Sequence, residues 1–384
     1  CLSRGLGDVY KRQLCAFARE NIYSLFIAYQ RVFKMSDFRQ EQFEQFAHAW
    51  PMPEISARFK QEPEDFIVEE ELPFELTGQG EHAWLQVRKR NNNTDWVAAR
   101  IAEHAGVKKH AVGYAGLKDR LAVTTQWFSV YLPGRDDVDW QAFQLEGVEL
   151  LESTRHQRKL QRGALKQNRF TIRLRELDIA NNGGIEQVKA RCELIRQQGI
   201  PNYFGEQRFG HGLSNLADAE RMFSQPRKRI PRHKRSLFLS AARSWIFNTI
   251  LSERIQAGTW NQRIDGDVFM LDGRSACFSD DGSDDLDQRL DRGEIHPTAV
   301  LWGDGENMAT ADCEAIESAV VDRYPLFKQG LRDARVEQQR RSLRLPVRDI
   351  ECRQLDSDLV LTFSLQAGSY ATMVLREIVK LKAI

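Results

Sequence analysis

Asp119 closes the stretch Gly113-Tyr-Ala-Gly-Leu-Lys-Asp119 and is followed by Arg120, so a single carboxylate stands between two cations after a two-glycine turn. Glycine lets a backbone take positive φ or approach another group closely. A carboxylate set just past such a turn is placed for chemistry rather than for packing. The bland alternative is an acid that caps a turn or faces solvent. Glycoside hydrolysis would need paired carboxylates flanking one bond, and the chain offers one well-placed acid.

Charge elsewhere is segregated. The net charge is only +1, yet Arg155 to Arg175 holds eight Lys/Arg and no acid, and Arg221 to Arg235 holds seven more. Compensating acids gather in Asp280 to Glu294. Such separation points to a face for a polyanion. Within the first run, Arg155, Arg158, Lys159, Arg162 and Lys166 are candidates to hold phosphates. Asn168 can read a base edge and Phe170 can stack on a flipped base. The competing reading is a solvated loop with scattered ion pairs, each worth little. The six cysteines form no CxxC pair and the eight histidines no HxH or HExxH, so no metal is expected. Cysteine usage fits a reduced, cytoplasmic protein. No run of about 18 apolar residues is present to span a membrane.

The elements around Asp119 must hold it. Phe66 to Glu71 alternates apolar and acidic residues as a half-buried strand does, and His82 to Arg90 reads as a second strand with a basic end. Thr94 is a suitable N-cap for a helix that runs to Gly106. Thr124 to Tyr131 is rich in β-branched and aromatic residues, so Asp119 joins a helix to a central strand. Strands are also expected at Val148–Ser153, Phe170–Arg175, Ile350–Arg353 and Leu359–Leu365. Helices are expected at Glu186–Gln198, Ser236–Arg254, Asp312–Leu326, Leu331–Leu343 and from Tyr370 onward. Pro201 to Gly210 lacks the GxxxxGK[ST] phosphate loop, and Tyr203, Phe204 and Phe209 are expected to pack a small core there. The acids after Ile264 do not match an EF-hand loop.

Residues 1–34 differ in character from the rest of the chain and read as a non-native or unstructured leader, with Met35 the better start. Residues 35–198 and 345–384 then form a catalytic α+β domain, and helix-rich 199–344 is inserted into it.

Six strings in order carry a resemblance to a known family: Lys60-Gln-Glu-Pro-Glu-Asp-Phe66, Gly116-Leu-Lys-Asp119, Gly163-Ala-Leu-Lys-Gln-Asn168-Arg-Phe170, Asn202-Tyr-Phe-Gly-Glu-Gln-Arg-Phe-Gly210, Leu239-Ser-Ala-Ala-Arg-Ser244 and Ala367-Gly-Ser-Tyr-Ala-Thr372. Together they resemble the TruD family of tRNA pseudouridine synthases. That resemblance implies the pseudouridine synthase fold: a mixed, mainly antiparallel sheet with an inserted helix-rich domain. It implies that Asp119 is the catalytic aspartate, stabilising, attacking or deprotonating the sugar as the glycosidic bond breaks, with Lys60 as its basic partner. Phe66, Asn168, Phe170 and Tyr370 match substrate-binding positions, Tyr370 standing where the family commonly has Phe. The implied reaction is isomerisation of uridine 13 in tRNA, tRNA-Glu foremost. It needs no cofactor, no metal and no obligatory protein partner, and the target base must leave its stack. The rival is a non-catalytic RNA-binding protein that kept the basic face.

Overall fold

A computed structural model describes residues 40–52, 54–135, 138–178, 184–225 and 229–382. The leader assigned to residues 1–34 lies outside them. Two compact units divide the chain: residues 206–242 with the segment up to residue 45, and residues 46–205 with those from 243 onward. The smaller unit holds α4 (Ser214–Ser224) and the start of α5 (Arg232–Gln256). Every candidate site residue belongs to the larger unit.

Alternating sequences in the larger unit build a ten-stranded sheet. Its main path runs β14 (Arg348–Leu355), β15 (Asp358–Gln366), β7 (Gln167–Asp178), β2 (Phe66–Glu71), β5 (Val123–Tyr131), β3 (His82–Arg90) and β6 (Val148–His156). β1 (Ser56–Phe59) joins β7 and β16 (Lys380–Leu381), while β4 (Val112–Tyr114) joins β5. The β1–β16 and β2–β5 pairs are parallel and the others antiparallel, so the sheet is mixed.

Register sets one row across five strands: Lys89 pairs with Thr124, Thr124 with Val68, Val68 with Phe170, and Phe170 with Phe363. Paired residues point to the same face. A neighbouring row pairs Glu70 with Asn168 and Asn168 with Leu365. Helix α2 (Thr94–His104) covers part of this face, with Val97, Ala98 and Ile101 packed among Leu85, Val87, Phe128 and Val130. Each such fully buried aliphatic side chain contributes about 1.5–3 kcal/mol, so the helix is firmly seated beside the row.

Strand β7 carries two strands along one edge. Phe59 of β1 pairs with Leu174 and Phe66 of β2 with Ile172, and residues 60–65 loop out between them. Asp65 closes that loop. Its carboxylate accepts from the amides of Gln61 and Glu62 at 3.0 and 2.9 Å and from Arg175 Nε at 2.8 Å. Pro63 opens a short 3₁₀ turn, where its missing N–H costs nothing. The Lys60–Phe66 string is thus a built excursion, with Lys60 at its first position.

Other strands and helices fall where expected, with shifted ends: α3 spans Gly184–Gln198, and α9, at Ala371–Ile378, follows Tyr370 as its N-cap. The helix expected over Leu331–Leu343 is wrong. α8 (Pro325–Asp333) follows α7 (Ala311–Asp322) and stops before Arg335, whose φ is +52°. Gln339–Ser342 is instead strand β12, paired with β11 (Ile295–Leu301) in a four-stranded sheet with β9 (Val268–Leu271) and β10 (Cys277–Ser279). A buried ion pair decides it: Arg340 reaches Glu317 of α7 at 2.8 Å, and Glu317 also accepts from the Val300 amide at 3.0 Å. Helical spacing in the sequence yields to that tertiary contact.

Candidate active site

The Ala115–Ala122 connection is fastened at several points. The Lys118 amide donates to Thr94 Oγ1 at 3.0 Å, Thr94 Oγ1 donates to Gln126 Oε1 at 2.9 Å, and Gln126 Nε2 returns to the Gly116 carbonyl at 3.3 Å. Thr94 therefore does not cap its helix as expected; Asn93 holds the N-cap position, and the threonine hydroxyl ties the loop to β5. The Ala115 carbonyl accepts from the Gly163 amide at 2.7 Å. Of the two glycines, only Gly113 is required by its surroundings: a Cβ there would meet the Leu160 carbonyl oxygen at 2.5 Å. Gly116 has open space and no positive φ, so nothing in its geometry demands glycine.

Lys60 Nζ donates to Asp119 Oδ2 in a close ion pair, with side-chain exposures of 20% and 40%. The carboxylate is therefore reachable while its partner is half enclosed. The same ammonium lies 4.1 Å from the Phe66 ring centroid and 5.3 Å from that of Phe59. Phe66 stacks on Phe170 at 5.9 Å, and Phe170 on Phe363 at 5.4 Å. Phe170 is only 6% exposed, so flanking rings leave little of it open to a ligand. Asn168 lies in the adjacent row, and its Oδ1 is buried without a hydrogen-bond partner among the described residues. Buried carbonyl oxygens are normally satisfied. This one is an acceptor in reserve.

Lys60 adopts φ +57°, a left-handed conformation that costs a non-glycine residue roughly 1–2 kcal/mol. Such strain persists where the surroundings over-determine it. Lys60→Gly and Lys60→Ala both remove the cation, but only glycine relieves the backbone. Urea denaturation should find the glycine variant more stable by roughly 1 kcal/mol. Equal stability would show that the conformation carries no strain.

Sequence reasoning names Lys118 beside Asp119 without a partner and misses Lys89. Lys118 turns inward and pairs with Glu70 at 2.8 Å, the side chains 8% and 0% exposed. Lys89 is fully buried at the end of β3 and donates to the carbonyls of Asn92 at 2.7 Å and Asp119 at 3.0 Å. It holds the backbone of the aspartate. Burial lowers its pKa from the ordinary 10.5 to about 8, against the opposing pull of the Asp119 charge. Between pH 8 and 10.5 the unfolded chain binds the proton that the folded chain has lost, so this residue makes stability rise with pH. Below pH 8 its burden is fully present. Denaturation of wild type and Lys89→Met across that window should show the wild type gaining on the variant as pH rises; parallel curves would contradict the shift.

Tyr370 belongs to another contact group. Its ring lies edge-on to Phe204 at 6.2 Å, and Gly205 makes room for it, since a Cβ there would sit 2.9 Å from the ring. Most of the basic residues assigned to phosphates are engaged within the protein. Arg155 donates to the Arg135 carbonyl at 3.2 Å, Lys159 to that of His110 at 2.6 Å, and Lys166 pairs with Glu71 at 2.6 Å. Arg162 donates to the Tyr114 hydroxyl at 2.7 Å. Arg158 is exposed.

The fold is shared with a solved archaeal structure described as a putative tRNA pseudouridine synthase D (TruD) from Methanosarcina mazei, at TM-score 0.70 and 23% identity, over 89% of this chain and 97% of that one. At that identity the likeness assigns the fold, the mixed-sheet α+β pseudouridine synthase fold. Residues 42–215 and 211–378 match the family described as "tRNA pseudouridine synthase D (TruD)". The tRNA pseudouridine synthase D of Methylococcus capsulatus is 52% identical over 325 residues, 84% of this chain and 91% of that protein. That of Hydrogenovibrio crunogenus is 46% identical over 338 residues, 88% and 96%. The chain belongs to the TruD family of tRNA pseudouridine synthases.

Proposed function

We propose that the chain isomerises uridine 13 of tRNA, with tRNA-Glu as a principal substrate, and that Asp119 acts on the ribose. The observation that carries this reading is the close Lys60–Asp119 pair, with Lys60 over the Phe66 ring; Asn168, whose Oδ1 has no hydrogen-bond partner among the described residues, lies one row from Phe170 on the same sheet face. Uracil presents an N3–H that such a carbonyl can accept, and the Asp119 carboxylate, 40% exposed, can reach the ribose of a base drawn out of its stack.

Two routes use the same carboxylate. Asp119 can attack C1′ as the N1–C1′ bond breaks, uracil leaving as an anion that rotates and returns through C5 to expel the carboxylate. Alternatively, Asp119 takes a proton from C2′ and returns it once the new bond forms. Either way C5 loses its proton and N1 gains one, so product and substrate have the same atoms. Lys60 orients the carboxylate in both routes.

Residues 35–198 and 345–384 are read as the catalytic domain and 199–344 as its insertion. This is supported by β8 (Ile200–Pro201), which pairs with β13 (Arg344–Leu345) where the insertion would begin and end. No helix among the described residues is long and apolar enough to cross a membrane, consistent with work on tRNA in the cytoplasm. The test is a tRNA-Glu transcript treated with purified protein and mapped with a pseudouridine-specific carbodiimide. Modification at position 13, and none in a transcript carrying cytidine there, is expected. Modification elsewhere with position 13 untouched would overturn the site assignment.

A further inference from the structure

The opposite end of β3 carries a second aromatic group. Phe74, in the connection between β2 and β3, lies parallel to His156, with centroids 5.4 Å apart and 11° between planes. Trp84 closes the corner edge-on, 5.8 Å from Phe74 and 5.2 Å from His156. Trp84 is 1% exposed and His156 8%, but Phe74 leaves 41% of its surface open. One exposed ring is ordinary on a protein surface. This one lines a cavity of about 430 Å³ with Trp84, His156, Arg158, Lys159 and Gln161, within the size range of small-ligand sites, ~300–1,000 Å³.

The rings are held before anything binds. Trp84 Nε1 donates to the Arg158 carbonyl at 3.0 Å, and the Thr77 amide donates to His156 Nδ1 at 3.3 Å. Burial, with the Arg158 charge, lowers the His156 pKa and keeps that ring neutral. The floor is therefore an uncharged π surface, and Gln161, the exposed Arg158 and the acidic Glu75 also line the cavity. Arg158 belongs to the acid-free run from Arg155 to Arg175. A stacking face, an amide and a guanidinium together suit a nucleobase and its phosphate.

We infer that this cavity binds an unpaired base of the RNA substrate, a nucleotide other than the one isomerised, with Arg158 on its phosphate; the inference rests on the proposed action on tRNA. Trp84 belongs to the group with Trp127 and Leu160, separate from the Leu85 and Val87 group on the α2 side. It lies five residues from Lys89, roughly 17 Å along the strand. The two sites therefore cannot hold the same base.

Phe74→Leu keeps apolar bulk and removes the stacking face, whereas Phe74→Trp keeps the face. Filter binding of the full-length protein to a folded tRNA transcript should show Kd about tenfold weaker or more for the leucine variant, with the tryptophan variant near wild type. Chemical footprinting should show one unpaired nucleotide, distinct from the target, protected by wild type and exposed with the leucine variant. If wild type isomerises the transcript while Phe74→Leu matches it in Kd and footprint, the second base site is wrong and the tRNA reading stands. A leucine defect that tryptophan leaves uncorrected also overturns it. A wild type that neither binds nor modifies the transcript sinks both.

Discussion

Asp119→Asn is expected to lower the single-turnover rate on tRNA by three orders of magnitude or more, about 4 kcal/mol of barrier at ~1.4 kcal/mol per factor of ten. The amide is nearly the same size and can still lie beside Lys60, but it neither attacks C1′ nor takes a proton from C2′. The effect should therefore fall on kcat, with tRNA affinity within a few-fold of wild type. The charge left without its partner is Lys60, which keeps 20% exposure and lies over the Phe66 ring, so the replacement strands no fully buried charge. Measured together, rate, Kd and thermal unfolding separate the chemistry from the scaffold. A variant that keeps a tenth of the wild-type rate would remove Asp119 from the bond-breaking step.

Lys118→Met should be the most damaging change to stability in the loop, costing about 3–5 kcal/mol in urea denaturation because it strands a buried carboxylate. Glu70 has no exposed side-chain surface and would keep only the Trp127 amide, 3.3 Å away. A second change, Glu70→Leu in the same chain, removes the stranded charge and should recover part of the loss, a coupling that a double-mutant cycle reads directly. A cost under about 1 kcal/mol is what a surface pair gives, and it would place Lys118 in solvent.

Both residues behind these stability effects were open to inference from strand parity. Phe66, Val68 and Glu70 share one face by alternation, as do Leu85, Val87 and Lys89; a charged residue in an apolar register is a buried one in need of a partner. What parity could not supply is the partner's identity, since Glu70 meets Lys118 and Lys89 meets the Asp119 carbonyl only after β2, β5 and β3 align. The motif strings placed Asp119, Lys60, Phe66 and Phe170, and the fold joins these four in one chain of contacts. Charge counting was less informative. The acid-free run drew phosphate assignments for Arg162 and Lys166, yet their neighbours in space are Tyr114 and Glu71, remote in sequence. Likewise, Gln339–Ser342 became a strand because of Glu317, which no local window contains.

The β8–β13 pair bears on how the sheet is assembled. β7 and β15 are adjacent strands, but a long stretch of chain separates them. Closing a flexible loop of ~140 residues costs roughly 4 kcal/mol of chain entropy by the logarithmic rule. When Ile200 meets Leu345 and Pro201 meets Arg344, most of that loop is already closed. The ends that remain to be joined are then about as far apart as in an ordinary crossover. A search that would be slow for contacts of such high sequence separation becomes nearly local. Weakening this two-residue clasp should therefore delay the appearance of the catalytic sheet in refolding more than it lowers equilibrium stability.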